Sequence, residues 1–167
     1  MRRFANPALS MLLACGAAQA HPGLCGAPAE RSVFACQAGA KLIAVCSVGN
    51  SAGSRARLEY RYGTTRRVEL RIPEPAASGA AGDPGLGLIT LSGGGGTTLR
   101  FRNGEFAYTV YSATSASIGD KSGVAVTHRG KPVGHVSCTG DGPDPDLDYE
   151  ALSKSGLPAD NEPFELP

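Results

Sequence analysis

Hydrophobic residues in this chain recur at every second position, and hardly any segment repeats at the 3.6-residue period of a helix. Arg57–Tyr62 and Arg67–Ile72 each alternate apolar with charged residues, and Thr97–Val110 alternates on both sides of an Asn-Gly pair. Alternation at period two is typical of strands that bury one face. The pattern therefore predicts an all-β fold, a single antiparallel barrel or sandwich of about seven to nine strands.

The clearest hairpin signal is Asn103-Gly104, because a type I′ turn needs positive φ at two residues and this pair tolerates it best. Placing Arg102 opposite Glu105 fixes a register in which one face of the hairpin is apolar and the reverse face can meet water. On the apolar face the predicted pairs are Phe101–Phe106, Leu99–Tyr108 and Thr97–Val110, and on the polar face Arg100–Ala107 and Thr98–Thr109.

Other strands are bounded by short turns. The predictions are strands at Ser32–Cys36 and Lys41–Val48, a loop at Gly63-Thr64-Thr65 between Arg57–Tyr62 and Arg67–Ile72, and a hairpin over Gly123–Cys138 that turns at Arg129-Gly130.

Two glycine-rich stretches interrupt the strands. Pro73–Gly87 has no periodicity and few charges, which predicts a disordered loop or a tolerated insertion. Gly93–Gly96 leads into a hairpin, so it lacks the strand–glycine–helix context of a phosphate-binding loop. Its predicted role is to let the strand bend or bulge as it enters the sheet.

The N-terminus has the layout of a secretory signal peptide: two arginines, the apolar run Ala8–Ala18 and the cleavage site Ala18-Gln19-Ala20. Cleavage before Cys15 is the alternative, since Leu12-Leu13-Ala14-Cys15 resembles a lipobox, in which the cysteine is acylated. The product is periplasmic or secreted in the first case and a lipoprotein anchored through Cys15 in the second. No segment approaches about 18 consecutive apolar residues, so no transmembrane helix is predicted. The predicted organisation is a signal peptide at 1–20, a β domain at 21–143 and an acidic C-terminal segment at 144–167.

Both cuts leave four cysteines, which allow three pairings and, outside the cytoplasm, imply two disulfides. A turn near Gln37–Ala40 places residue 36 opposite residue 41 or 42, so Cys46 lies too far along the partner strand to bond Cys36 easily. This favours Cys36–Cys138 and Cys25–Cys46, although the sequence does not decide. No C-x-x-C is present, and structural bridges are expected.

Charge is unevenly spread along the chain. From His21 to Gly140, thirteen Lys and Arg face seven Asp and Glu, a balance of +6, whereas Asp141–Pro167 holds eight acids against Lys154 alone, a balance of −7. Two interpretations are open: the acidic segment lies on the arginine-rich body, or it is a solvated tail.

Six arginines are concentrated around one predicted hairpin. Binding of nucleic acid or another polyanion requires such a basic patch, but the mature chain is close to neutral. Arg alternating with Glu on an exposed strand face is more typical of cross-strand ion pairs and edge protection, so no nucleic-acid partner is predicted. The six are Arg55, Arg57, Arg61, Arg66, Arg67 and Arg71.

The acidic segment breaks the alternation. Asp144–Ser155 begins with Asp-Pro and is followed by Gly156 and Pro158, which predicts a short C-terminal helix. Its alternating acids, from Asp144 to Glu150, also suggest calcium. An EF-hand loop, however, needs Gly at its sixth position and Glu at its twelfth, and this chain has Tyr149 and Ser155 there. Helix capping is the favoured role, and no metal site is predicted.

Enzyme motifs are scarce. A Ser-His-Asp site could be assembled from His128 or His135 with Ser112, but no G-x-S-x-G, H-E-x-x-H or G-x-x-x-x-G-K-[ST] motif is present. A lone strand histidine is usually structural. No catalytic residue or cofactor is assigned, and a small exported hydrolase using His128 or His135 stays the alternative function.

Hairpin and cysteine motifs cover most of the mature chain. In order they are Phe34-x-Cys36, Lys41 to Val45-Cys46, Tyr60-Arg61-Tyr62-Gly63, Gly93–Gly96 with Leu99-Arg100-Phe101, Asn103-Gly104, Tyr108-x-Val110-Tyr111-Ser112, Gly123-Val124-x-Val126, Gly130-Lys131 and Cys138. This order resembles a group of small secreted or periplasmic bacterial proteins of unknown function. The resemblance implies a fold and no particular reaction.

Three features are also similar to the small β-barrel inhibitors of lysozyme found in bacterial periplasms and outer membranes. They are the Phe-x-Cys-x-x-Gly segment at Phe34–Gly39, the late Cys138 and the dipeptide Ser92-Gly93. In those inhibitors a Ser-Gly loop enters the lysozyme cleft, followed by Arg-Tyr, where this chain has further glycines and Thr97-Thr98. The resemblance implies a non-enzymatic binding or envelope-associated role, with Ser92 and Gly93 as binding residues and lysozyme or another exported hydrolase as the partner.

Overall fold

A computed structural model describes residues 23–49, 56–74, 82–139 and 145–167. The predicted signal peptide, its cleavage after Ala20 and the alternative lipidation at Cys15 lie outside these residues. The described ranges contain nine strands and one helix: β1 (Glu30–Ala38), β2 (Lys41–Val48), β3 (Arg57–Thr64), β4 (Arg67–Ile72), β5 (Gly85–Leu91), β6 (Gly94–Asn103), β7 (Phe106–Ser115), β8 (Gly119–His128), β9 (Lys131–Ser137) and α1 (Tyr149–Ser153).

The strands form two antiparallel sheets, in the orders β1-β2-β3-β4 and β5-β6-β7-β8-β9. One hydrophobic cluster joins Phe34, Val45 and Tyr60 of the first sheet to Leu99 and Phe101 of the second. The rings of Tyr60 and Phe101 lie 6.0 Å apart, centre to centre. The prediction of an all-β domain with a short C-terminal helix is confirmed; of the two architectures allowed by the sequence, the two separate sheets correspond to the sandwich, since they do not close into a barrel.

The β6–β7 hairpin turns one residue later than predicted. The two turn residues are Gly104 and Glu105, so Asn103 pairs with Phe106 and Phe101 with Tyr108. Only Gly104 has positive φ, at 58°, which suits a turn of the Gly-X type and needs no left-handed Asn103. Because the register moves by two residues, every side chain keeps its predicted face even though every predicted pair is wrong.

The remaining turns follow the predictions with small shifts. Arg129 and Gly130 form the β8–β9 turn, as expected, with φ of 51° and 75°. The β3–β4 turn is Thr65-Arg66 instead of Gly63–Thr65, because Gly63 is a strand residue at a bulge. The helix occupies Tyr149–Ser153 within the predicted Asp144–Ser155, since Asp148 caps it by accepting a hydrogen bond from the Ala151 N–H at 3.0 Å.

The predicted loop Pro73–Gly87 overlaps β5, which begins at Gly85 and was not predicted, and residues 75–81 of the loop lie outside the described residues. Glycines hid this strand, and they have a packing reason. A Cβ on Gly85 would lie 2.9 Å from the Cβ of Asp160, and one on Gly87 would lie 2.5 Å from the Thr98 hydroxyl. The two glycines therefore let the C-terminal segment lie against β5.

Residues 157–167, here called the C-terminal strap, cover the outer face of the second sheet. Leu86 donates its N–H to the Pro158 carbonyl and accepts the Asp160 N–H, each at 2.8 Å, so the strap pairs with the edge of β5. Farther along, Phe164 packs on Tyr111, with ring centres 5.7 Å apart. The described part of the acidic segment, 145–167, thus lies on the body, and for these residues the solvated-tail alternative is wrong.

Burial of Arg100 corrects the expected polar face of the hairpin. Its side chain is 6% exposed and its Nε lies 2.5 Å from an Asp160 carboxylate oxygen. Arg100 also donates to the carbonyls of Glu162 and Pro163. A guanidinium can be buried where its donors are paired in this way, so the face predicted to meet water is covered by the strap.

The charged face of β3 is buried as well. Arg61 is 3% exposed and donates to the Leu24 carbonyl and to the carboxylates of Glu30 and Glu59. The hydrogen bonds from Arg61 hold the pKa of Glu30 below its usual range. Glu59 also pairs with Arg57 on the same strand at 2.5 Å and with Arg71 on β4 at 3.7 Å. The cross-strand ion pairing expected for the arginine-rich hairpin is therefore present, with Glu59 itself buried.

The disulfides join Cys25 to Cys46 and Cys36 to Cys138, the pairing favoured from the sequence. Cys36 lies opposite Ile43 instead of residue 41 or 42, because the turn is confined to Gly39-Ala40. The first bridge ties the N-terminal segment to β2. The second connects β1, an edge of the first sheet, to the end of β9, an edge of the second.

The two bridges should differ in their contribution to stability. Their cysteines are 102 and 21 residues apart, and on the chain-entropy model the longer loop is stabilised more, by roughly 1 kcal/mol. We expect the double change Cys36→Ala, Cys138→Ala to lower the free energy of unfolding in urea more than Cys25→Ala, Cys46→Ala does. The reverse order would show that N-terminal packing, and not closure of the sandwich, dominates.

Asp160 and Glu162 offer a matched test of the strap, since both pair with Arg100 but their side chains are 6% and 55% exposed. Asp160→Ala leaves a buried guanidinium without its main partner and should lower the free energy of unfolding by about 3 kcal/mol or more. Glu162→Ala should cost about 1 kcal/mol or less. Equal losses in urea titrations would mean that Arg100 is not held by the buried pair.

Candidate functional site

Gly94, Gly95 and Gly96 are strand residues, paired with β5 on one side and β7 on the other without a shift in register. The expected bend or bulge is therefore absent from this paired stretch. A Cβ on Gly94 would lie 2.0 Å from the Thr114 carbonyl oxygen, and one on Gly96 would lie 2.2 Å from that of Ser112. The tract has no side chains because neighbouring strands approach it too closely.

Ser92 and Gly93 form the exposed tip of the β5–β6 turn. Gly93 has φ of 69°, a left-handed conformation that favours glycine. The β7–β8 turn lies beside it, since a Cβ on Gly93 would be 3.9 Å from the Cβ of Ala116. That turn also carries Ile118, an apolar side chain that is 39% exposed. We call residues 92–93 and 116–118 the turn tip.

A cavity of about 800 Å³ near the glycine tract is lined by residues from both faces of the second sheet. Its core-facing part is a cleft between the tract and the segment that precedes α1, here called the hydroxyl cleft because strands β6, β7 and β8 contribute hydroxyl groups to it. The polar side chains on this side are Thr97, Ser112, Thr114 and Ser122, with Asp120 and Asp146, whereas Lys121 and Ser137 lie on the outer face.

Hydrogen bonds fix part of this lining. The Ser112 hydroxyl accepts the Leu147 N–H at 2.8 Å and so holds the covering segment over β7. Thr114 donates to the Asp120 carboxylate across the β7–β8 pair. On the outer face, burial raises the pKa of the Tyr111 phenol, and a hydrogen bond with Ser137 acts in the opposite direction. On the core-facing side, the hydrogen bonds of Ser112 and Thr114 fix two of the hydroxyl groups.

The structure does not bring the histidines to Ser112. Ser112 pairs with Ser122, and His128 lies six residues farther along β8, roughly 20 Å away at the rise of a strand. His135 pairs with Ala125, whose side chain packs on the outer face of the sheet, opposite the core-facing Ser112. The Ser–His combinations considered from the sequence are therefore separated.

His128 instead belongs to a cluster at the far end of the hairpins. Its ring stacks on Phe106 at 4.5 Å, and its Nε2 lies 3.3 Å from a carboxylate oxygen of Glu105. Arg129 donates to the same carboxylate at 2.7 Å, and these hydrogen bonds, led by that of Arg129, lower the pKa of Glu105. These contacts connect the β6–β7 turn to the β8–β9 turn.

The described residues contain neither a cluster of metal ligands nor a helix that could span a membrane. Across 23–49, 56–74, 82–139 and 145–167, no three His, Cys, Asp or Glu side chains come together as metal ligands would. Asp144, the first of the alternating acids, is outside those ranges. The helix in the described part of the chain is too short to cross a membrane.

Comparisons with protein families, curated proteins and solved structures gave no match to this chain.

Ser92 and Gly93 were predicted from the sequence as binding residues, and the structure places them in an exposed turn, whereas the cleft was not predicted. A signal was present: Thr97, Ser112 and Thr114 occupy positions that the alternation assigns to the core-facing side, where a sandwich normally places apolar residues. Polar residues at inward positions next to a glycine tract indicate a cavity, but only the structure supplies the covering segment.

The close-packing role of the tract can be tested with alanine. Gly96→Ala would place a Cβ 2.2 Å from a backbone oxygen and should destabilise the fold by about 2 kcal/mol or more, in the range of overpacked sites. Gly134→Ala in β9 is the control, since no atom lies within 4 Å of its added Cβ. Similar urea midpoints for the two variants would contradict this role.

Proposed function

We propose that this chain is an exported, non-enzymatic binding protein whose partner is lysozyme or another exported hydrolase. Support for export comes from the N-terminal sequence pattern and from two disulfides, which persist in oxidising compartments. We propose that the protein is periplasmic or secreted, and the alternative localisation is a lipoprotein anchored through Cys15. Binding is preferred to catalysis because Ser112 is separated from His128 and His135.

The observation that carries the proposal is the turn tip itself: Ser92 and Gly93 are exposed on a two-residue turn whose flanking residues, Leu91 and Gly94, are paired. The strap fixes β5 on one side and β7 fixes β6 on the other. A rigid protrusion with small side chains can enter a concave site while losing little conformational entropy. Ile118 adds an apolar contact beside it.

The chemistry of the expected target is compatible with this tip. Glycoside hydrolases generally place two carboxyl groups in an open cleft. The Ser92 hydroxyl can donate a hydrogen bond to such a carboxylate, and Gly93 has no side chain to obstruct the approach. The mechanism proposed is therefore occlusion of the cleft by the turn tip.

The alternative function, a small exported hydrolase, depends on one contact. His128 lies beside the Glu105 carboxylate, and such a pair can orient a histidine base. However, the carboxylate is also bound by Arg129, and the histidine ring is stacked on Phe106. These contacts account for the cluster structurally, so the binding function is preferred.

Lysis of a bacterial suspension by added lysozyme tests the proposal directly. Excess mature protein should slow lysis, and Ser92→Arg should weaken inhibition at least tenfold because a long cation replaces the small tip. Ser32→Arg is the control, an exposed serine on β1 in the other sheet. If the wild-type protein leaves lysis unchanged, lysozyme is rejected as the partner. Equal inhibition by wild type and Ser92→Arg would reject the turn tip as the contact.

A further inference from the structure

We infer that the hydroxyl cleft binds a short oligosaccharide that carries no negative charge. This site is separate from the turn tip, and the inference does not depend on the identity of a protein partner. The cleft is concave, with β6, β7 and β8 below and residues 145–147 above, and small-molecule sites are typically concave with a few convergent polar groups.

The lining matches the chemistry of a sugar. Serine and threonine hydroxyls both donate and accept hydrogen bonds, as sugar hydroxyls do. Thr97, Ser112, Thr114 and Ser122 present four such groups from three adjacent strands, and Ser122 and Ser112 are direct cross-strand neighbours. An array of this kind can meet several hydroxyls of one ligand at once.

The position of these residues argues against a purely structural role. Thr97 and Ser112 are 5% and 7% exposed, on the side of β6 and β7 that carries Leu99 and Val110 into the core. Polar groups placed inward are costly unless they gain partners. Ser112 has one in the Leu147 N–H, and Ser122 and Thr114 lie at more exposed positions of the same face, where a ligand can reach their hydroxyl groups.

Gly95 lies on the core-facing side of β6 beside Thr97, and without a side chain there a ligand can approach the strand backbone. Close approach between strands excludes a Cβ at both neighbouring positions, since one on Gly96 would lie 2.2 Å from the Ser112 carbonyl oxygen and one on Gly95 would lie 2.8 Å from that of Ile89.

Charge selects among polar ligands. Asp120 and Asp146 contribute two carboxylates to the lining, whereas the Lys121 side chain lies on the outer face, where it donates to the Pro167 carbonyl at 2.9 Å. Phosphorylated or acidic ligands would meet net negative charge. Carboxylates instead accept hydrogen bonds from neutral sugar hydroxyls and amides.

Saturation-transfer NMR on the full-length mature protein tests this inference. The probes are the tetramer of N-acetylglucosamine, maltotetraose and, as the anionic counterpart, tetragalacturonate. Ser122→Phe fills the cleft from β8, and Thr127→Phe, on the same strand outside the lining, is the control. Thr114→Trp, at an exposed position of the rim, serves if Ser122→Phe does not fold.

The expected result is saturation transfer to at least one neutral tetramer, weakened at least tenfold by the cleft-filling variant and kept by Thr127→Phe, with no transfer to tetragalacturonate. Absence of transfer to both neutral tetramers overturns the inference, as does equal binding by the filled and control variants or by the anionic tetramer. Because lysozyme is not in the sample, the result is independent of the lysis assay.

Discussion

The ion pair between Arg100 and Asp160 is the interaction on which the second sheet depends. Arg100 points away from the sandwich core, where a strand in a two-sheet fold normally meets water. Burying its guanidinium without a carboxylate would be prohibitive. Asp160 makes burial possible, and the backbone on either side of it then pairs with β5 and covers Tyr111 with Phe164. A segment 60 residues away in sequence thus completes the sheet.

The first sheet repeats this solution with different residues. Arg61 also points outward, and Glu30, Glu59 and the Leu24 carbonyl satisfy it. The Cys25–Cys46 bridge holds the N-terminal segment in place there, as backbone pairing with β5 holds the strap on the other sheet. Each sheet therefore has a covered outer face organised around one buried arginine, so a small sandwich gains two further layers of packing.

Alternation was sufficient to predict most strands and which face each side chain takes. It could not predict which outward faces are covered, because the partners of Arg61 and Arg100 are distant in sequence and leave no periodic signal. The hairpin register was wrong by two residues since Asn103-Gly104 and Gly104-Glu105 are both good turns, and a shift of two preserves the faces. For β5, glycines at Gly85 and Gly87 removed the very side chains that would have marked the strand.

The glycine tract connects the fold to both candidate sites. Close pairing of Gly94 and Gly96 with β7 keeps β6 straight up to its first residue, and this holds the Ser92-Gly93 tip in a fixed position. Gly95, which also lacks a side chain, lies on the core-facing side under the segment that Ser112 anchors. A protruding tip and a recessed cleft thus adjoin the same glycine tract. Since the tip is formed by residues 92–93 and the cleft is filled from β8 in Ser122→Phe, the two proposals can be tested by separate substitutions.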